Sequence, residues 1–193
     1  MNKRSAEETK KRILASARTV FVEEGYAQAS MRQIARASGI SVGALYLHFK
    51  NKEKLYLTFV QEWMEQLNGE TREALLDMDD PMEAMRAFII ITIEFVRRNR
   101  EIIILQGREL GFHFGIELKR EFFRERRGVI ADIVRRGLAK GVFRECDADE
   151  AAKVIFNTLR GFGVSMVLDE DAMFASEACV DMVLHGLLRR NIR

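Results

Sequence analysis

Apolar side chains recur along most of this chain at intervals of three and four positions, the period of a helix that buries one face. Over 7–24 they are Ile13, Leu14, Ala17, Val20 and Phe21, and Gly25 follows as a stop that tolerates a left-handed backbone. Ser30-Met31-Arg32-Gln33 has the pattern of a capping box, in which the Ser hydroxyl and the Gln side chain satisfy orphan amides at a helix start. A second helix is therefore expected over 31–38, with Ile34 and Ala35 turned inward. Gly39 permits a sharp reversal, and Ser41 is a good N-cap for a third helix through about Phe49. Two helices joined by so short a turn cross closely, and the small side chain of Ala35 leaves room for that crossing. Ile40, Leu45 and Phe49 complete a small apolar cluster.

The same period continues to the end of the chain. A long helix is expected over 52–76, with Leu55, Phe59 and Trp63 on a single face. Asp80-Pro81-Met82-Glu83 opens another, with proline at the first helical position, where its missing amide is harmless. This helix carries Met85, Phe88, Ile89, Thr92, Phe95 and Val96. A short apolar segment follows over 101–110. A long helix then runs from after Gly115 to Lys140, stopped by Gly141. Asp147 or Asp149 starts a further helix through Leu168, and a last one covers about 174–190. The class is all-α with about nine helices, a three-helix helix-turn-helix head at 1–55 and a helical body at 56–193. A single proline in 193 residues agrees with it, since a sheet protein wants more turns.

With 48% hydrophobic and 31% charged residues, the chain can bury a sizeable core and is not of disordered composition. The longest nearly unbroken apolar stretch, 88–96, is interrupted by Thr92 and Glu94 and falls short of the ~20 residues of a membrane span. The first twelve residues are rich in Lys, Arg and Glu with no apolar segment behind them, unlike a secretory signal, so a cytoplasmic location is expected. Cys146 and Cys179 stand apart from each other and from any metal-ligand spacing, and are expected to be buried thiols in a reducing compartment. Charge is divided unevenly. Residues 1–56 hold eleven bases against five acids, and the remainder twenty against twenty-four. A basic head on an acidic body fits a head that meets a polyanion, although from charge alone a solvated Lys/Arg face is the plainer reading.

The stretch over 39–55, GISVGALYLHFKNKEKL, is more specific than the helix-turn-helix order alone. From Ile13 to Leu55 the sequence closely resembles the N-terminal DNA-binding domain of TetR-type transcriptional regulators, including Leu45-Tyr46-x-His48-Phe49-Lys50-x-Lys52-Glu53. Beyond about residue 55 the resemblance rests on layout and on echoes such as Gly141-Val142-Phe143-Arg144 and Leu159-Arg160-Gly161. It implies a duplex-DNA interface made of Ser30, Arg32, Ser41, Val42, Gly43, Ala44, Tyr46, His48, Lys50 and Lys52. Helix N-termini present free amides, so Ser30 and Ser41 can each seat a phosphate while capping their helices. Tyr46 and His48 are implied to reach the backbone beside the major groove, and Lys50 and Lys52 to neutralise further phosphates. Many relatives have Lys and Thr where this chain has Val42 and Ala44. Those side chains offer methyl groups but no bidentate hydrogen bond to a base edge. Specificity is therefore expected from thymine-methyl contacts, Ser41, Lys50 and operator shape.

The resemblance also implies a ligand-binding body and a homodimer on a palindromic operator, with recognition helices roughly 34 Å apart. Candidate pocket residues are Trp63, Phe88, Phe95, Arg108, Phe112, His113, Phe123, Phe156, Asn157 and Arg160, since ligand sites are mostly apolar with a few polar anchors. The helix over 151–168 is apolar on nearly all sides, so one face packs on its own core and another against something else, for which a second subunit is the natural candidate and a helix buried within one large core the alternative. The candidate dimer residues are Phe162, Val164, Met166, Val180, Val183 and Leu187. Glu109, His113 and Glu117 share a helical face if the helix continues through the glycines there, and an ordinary charged rim is the plainer reading. No metal, cofactor or catalytic residue is expected: there is no phosphate-cradling glycine loop, no H-E-x-x-H, and no nucleophile beside a base. The expected function is a ligand-responsive regulator, a repressor released by a small apolar effector. The alternative is a DNA-bound scaffold or adaptor of the same fold, gated by a protein partner.

Overall fold

The computed structural model describes residues 3–108 and 115–188, with the side chains of 5–107, 115–169 and 171–188. Among the described residues there are nine α-helices, one short 3-10 turn over Glu170–Ala172 and no strand. The helices are α1 (Lys3–Gln28), α2 (Met31–Ala37), α3 (Val42–His48), α4 (Lys52–Leu75), α5 (Pro81–Arg98), α6 (Arg100–Arg108), α7 (Ile116–Ala139), α8 (Ala148–Leu168) and α9 (Ser176–Leu187). By backbone contacts the chain forms two compact units, one of Met1–Met64 with Ile104–Gly115 and the other of Glu65–Ile103 with Ile116–Arg193.

The first unit is built as its caps dictate. α1 is interrupted at Gly25, whose φ of 80° and ψ of 161° are non-helical, so the helix kinks there and resumes to Gln28 instead of ending. Ser30 and Gln33 form the reciprocal capping box of α2: the Ser30 amide donates to Gln33 Oε1 at 2.9 Å and the Gln33 amide to Ser30 Oγ at 3.3 Å. α2 closes on Gly39 at φ 65°. The Gly39 amide donates to the Arg36 carbonyl and the Ile40 amide to the Ala35 carbonyl, both at 3.1 Å, the bond pair of a Schellman stop. Ile13, Ala17 and Phe21 of α1, Ile34 and Ala35 of α2, and Leu45 of α3 are buried. Phe21 and Tyr56 meet edge to face at 5.2 Å, as does Tyr26 on Tyr56 at 5.0 Å.

In the second unit α5 packs on α7, α8 and α9, and α7 on α8. Its core joins Met85, Phe88 and Ile89 of α5 to Ile130 and Val134 of α7, Phe156 and Phe162 of α8, and Val180 and Leu184 of α9. α7 ends on a second Schellman stop at Gly141, and the ring of Phe143 then folds back onto Gly137. The Arg144 amide donates to the Leu187 carbonyl at 2.8 Å, tying this turn to the end of α9. α9 starts at Ser176, two residues later than expected, because Phe174 packs on Phe162 at 5.1 Å and its carbonyl accepts from Arg97 at 2.8 Å. α8 is long and apolar enough for a membrane span by length and composition, yet it packs Ala152, Ile155, Phe156, Leu159, Phe162 and Met166 into this core.

Candidate nucleic-acid interface

Leu45 and Phe49 are buried and fix the rotation of α3, so the positions between and before them face outward. Val42 and Tyr46 lie one above the other at i, i+4, as do Gly43 and Leu47. Tyr46 is 51% exposed and Leu47 86% exposed, and Ser41, Gly43 and Lys50 are exposed beside them. Ala44 and His48 are half-buried at the edges of this face. Ser41 Oγ accepts from the Ala44 amide at 3.1 Å and so caps α3 as expected. Arg32 and Arg36 are exposed on α2. Ser30 is half-buried, with its hydroxyl taken up by Gln33, whose side-chain amide in turn donates to Glu24.

Gly43 is open. A methyl group placed there would meet nothing nearer than Ser41 Oγ at 4.0 Å, and the residue is helical, so neither packing nor backbone conformation asks for glycine. Glycine is unfavourable inside a helix, and its presence without an internal reason marks a place where an outside surface can come close to the backbone.

Lys52 differs from the sequence expectation. Its ammonium is not a free phosphate ligand: it donates to the carbonyls of Tyr26 at 2.6 Å, Ala27 at 3.2 Å and Ala29 at 2.8 Å. These three acceptors use all three donors of an ammonium group. The charge thus serves the carbonyl-rich end of α1, where a cation is favoured. Leu47 and Arg36 were missed by sequence reasoning. Leu47 falls between two core positions of a short helix, and only the rotation of that helix reveals it as exposed.

The pocket candidates scatter. Phe88 and Phe95 are fully buried within the second unit, and Phe123 packs on Phe156 at 5.2 Å. Trp63 is buried in the first unit. Asn157 and Arg160 are exposed, contrary to expectation, because Phe156 and Leu159 take the inward positions of that turn of α8. The Arg160 guanidinium lies 5.9 Å from the Phe123 ring centre. The side chain of Arg108, and the residues Glu109, Phe112 and His113, lie outside the described residues.

The dimer candidates need a similar correction. Phe162, Met166 and Val180 are buried in the core of their own unit and turn no surface outward, whereas Leu187, also buried, reaches the wall of the groove between α8 and α9. Val164 and Val183 are half-buried. The large apolar side chains exposed on these two helices are Val154 at 67%, Met182 at 75% and Leu168. Val154 and Met182 line a groove of about 690 Å³ between α8 and α9, together with Ala151, Thr158, Ala178 and Val183. Cys146 and Cys179 also line it without a disulfide. Cys179 is buried, with its thiol pKa pushed up by burial, whereas Cys146 is only half-buried.

A capped helix, a Schellman turn and a second helix with an open outer face define a helix-turn-helix protein of the DNA-binding kind. The family model of bacterial regulatory proteins of the tetR family matches residues 13–58. The chain is 31% identical over 186 residues to the transcriptional regulator TtgR of Pseudomonas putida, covering 82% of this chain and 80% of that one. It is 28% identical over 145 residues to the transcriptional repressor NicS of the same species, covering 72% and 68%. Among solved structures, the fatty acid degradation regulator FadR from Bacillus halodurans superposes with a TM-score of 0.74 at 26% identity, over 92% of this chain and 93% of that one. The chain belongs to the TetR family of transcriptional regulators. It is a regulator and not an enzyme.

Proposed function

We propose that this regulator binds a palindromic operator as a homodimer and acts as a repressor released by a small apolar effector, with residues 1–55 meeting DNA and 56–193 providing effector binding and dimerisation. The observation that carries the DNA reading is the outer face of α3, where Val42, Gly43, Tyr46 and Leu47 stand clear of the core and Lys50 adds a cation. Phosphate contacts would come from Ser41, Tyr46, Lys50, Arg32 and His48, with Ser30 engaged mainly as a cap. Val42, Ala44 and Leu47 offer methyl groups to thymine, and nothing on α3 offers a fork to guanine or adenine.

The exposed apolar face of α8 and α9, centred on Val154 and Met182, supports a homodimer through these helices. The aromatic interior of the second unit, with Phe88, Phe95, Phe123 and Phe156, supports a lipophilic effector. Such an effector shifts the regulator only as far as it binds the DNA-released conformation better than the DNA-bound one. α4, which starts at Lys52 and runs to Leu75, is the element proposed to carry the movement. NicS bears the name of a repressor, in agreement with the sign proposed here. A cytoplasmic location is part of this proposal, since the operator DNA lies there. Selection of bound duplexes from a random DNA pool tests the proposal. Enrichment of an inverted repeat with half-sites about one helical turn apart is expected, and recovery of no common sequence would overturn it.

A further inference from the structure

Arg126 of α7 is 2% exposed and is the largest fully buried side chain among the described residues. Its guanidinium donates to Thr71 Oγ1 of α4 at 2.6 Å and to Thr92 Oγ1 of α5, and lies 4.1 Å from the centre of the Phe88 ring. Each threonine hydroxyl gives its own proton to a backbone carbonyl, Thr71 to Leu67 at 2.8 Å and Thr92 to Phe88 at 2.6 Å, so both act toward Arg126 as acceptors. These bonds use two of the five N–H donors of the guanidinium. No carboxylate among the described residues pairs with it. Glu125, its neighbour in sequence, is exposed and accepts from Asn68 at 2.9 Å.

A buried cation without a counter-charge is costly, and two neutral hydroxyls do not neutralise it. Burial alone pushes the Arg126 pKa down to about 9, which still leaves it charged at neutral pH. As a mere cross-link between three helices, an arginine would be an expensive choice, since an apolar side chain of similar volume fills such a space at lower cost. A guanidinium fixed in orientation by two hydroxyls on separate helices has a particular use: its planar fork matches a carboxylate, and the pair gains strength away from water.

We infer that Arg126 receives the carboxylate of the effector, which makes the effector class a lipophilic acid and not a neutral or cationic apolar compound. Thr71 and Thr92 are positioning residues that aim the fork, and the Phe88 ring supplies an apolar wall beside it. This inference rests on the reading of the second unit as the effector-binding part.

Matched pairs of probes test it on the full-length protein: octanoate with octanol, decanoate with decanol, and 4-phenylbutanoate with 4-phenylbutanol, each followed by thermal stabilisation at neutral pH. The acid of at least one pair should stabilise the wild type at about a tenth of the concentration its alcohol needs or less, a factor that corresponds to one charge-assisted contact. Arg126→Met should melt at or above the wild-type temperature and bind acid and alcohol alike, whereas Arg126→Lys should retain a preference for the acid. If Arg126→Met does not fold, Thr92→Val, which frees one arm of the fork, should narrow the preference. Alcohols acting on the wild type as well as their acids, or a preference for acid that survives in Arg126→Met, would overturn the inference alone. Stabilisation by no member of any pair would overturn the effector reading itself, and this inference with it.

Discussion

The ammonium of Lys52, at the first turn of α4, lies 4.5 Å from the centre of the Tyr26 ring and donates to the Tyr26 carbonyl at 2.6 Å. With the carbonyls of Ala27 and Ala29 it thereby holds the end of α1 against the start of α4, a link across more than twenty residues of sequence. Burial, assisted by Glu53, raises the pKa of the Tyr26 hydroxyl, so Tyr26 stays neutral beside this clamp at ordinary pH.

Lys52→Ala is expected to lower stability by about 1.5–3 kcal/mol, the range for hydrogen bonds to a charged group, measured by urea unfolding. The salt dependence of DNA binding should change little. Full stability with a shallower salt slope would show instead that Lys52 meets a phosphate.

Gly137 admits no side chain. A methyl group there would lie 2.0 Å from the Phe143 ring. Gly137→Ala should therefore cost about 3 kcal/mol, near the upper end for overpacking, despite alanine's better helix propensity. Combining it with Phe143→Leu should cost less than the two single changes added together, because the clash is with that ring. Additive losses in a double-mutant cycle would contradict the contact.

At Gly43 the opposite holds. Gly43→Ala meets open space and should stabilise the fold by about 0.5–1 kcal/mol while weakening DNA binding, because the added methyl stands on the proposed contact face. Calorimetry and a binding titration on the same sample separate the two effects. Unchanged affinity would mean that the backbone at Gly43 is not approached.

Met182→Glu, made together with Val154→Glu, should leave the melting temperature within a few degrees and produce a monomer in sedimentation equilibrium, since both side chains are already exposed in the single chain. A variant that still sedimented as a dimer would place the interface elsewhere.

Local signals made most of the helix ends legible in the sequence. Ser30 with Gln33, Ser41, Asp80 before Pro81, and Asp147 all cap helices by bonds to amides within three residues, and Gly39 and Gly141 close helices by bonds of similar reach. What depends on rotation or long-range packing was not legible. α8 is apolar nearly all round, so its pattern did not distinguish Phe162 and Met166, which enter the core, from Val154 and Leu168, which do not. Lys52 looks like any basic residue in a charged run until Tyr26, Ala27 and Ala29 arrive from another helix. Arg126 sits in the sequence as one of three arginines around Glu125, and only the packing of α4 and α5 on α7 shows that it alone of the three is fully buried.

In the function proposed above, the outer face of α3, with Lys50 at its end, docks on duplex phosphates. Lys50 is exposed and makes no ion pair among the described residues. The slope of log binding constant against log salt concentration, measured on the selected operator for wild type and Lys50→Ala, tests this most directly. A steep negative slope for the wild type, reduced by about one unit in the variant, is predicted. Binding that does not depend on salt, or identical slopes for the two proteins, would contradict it.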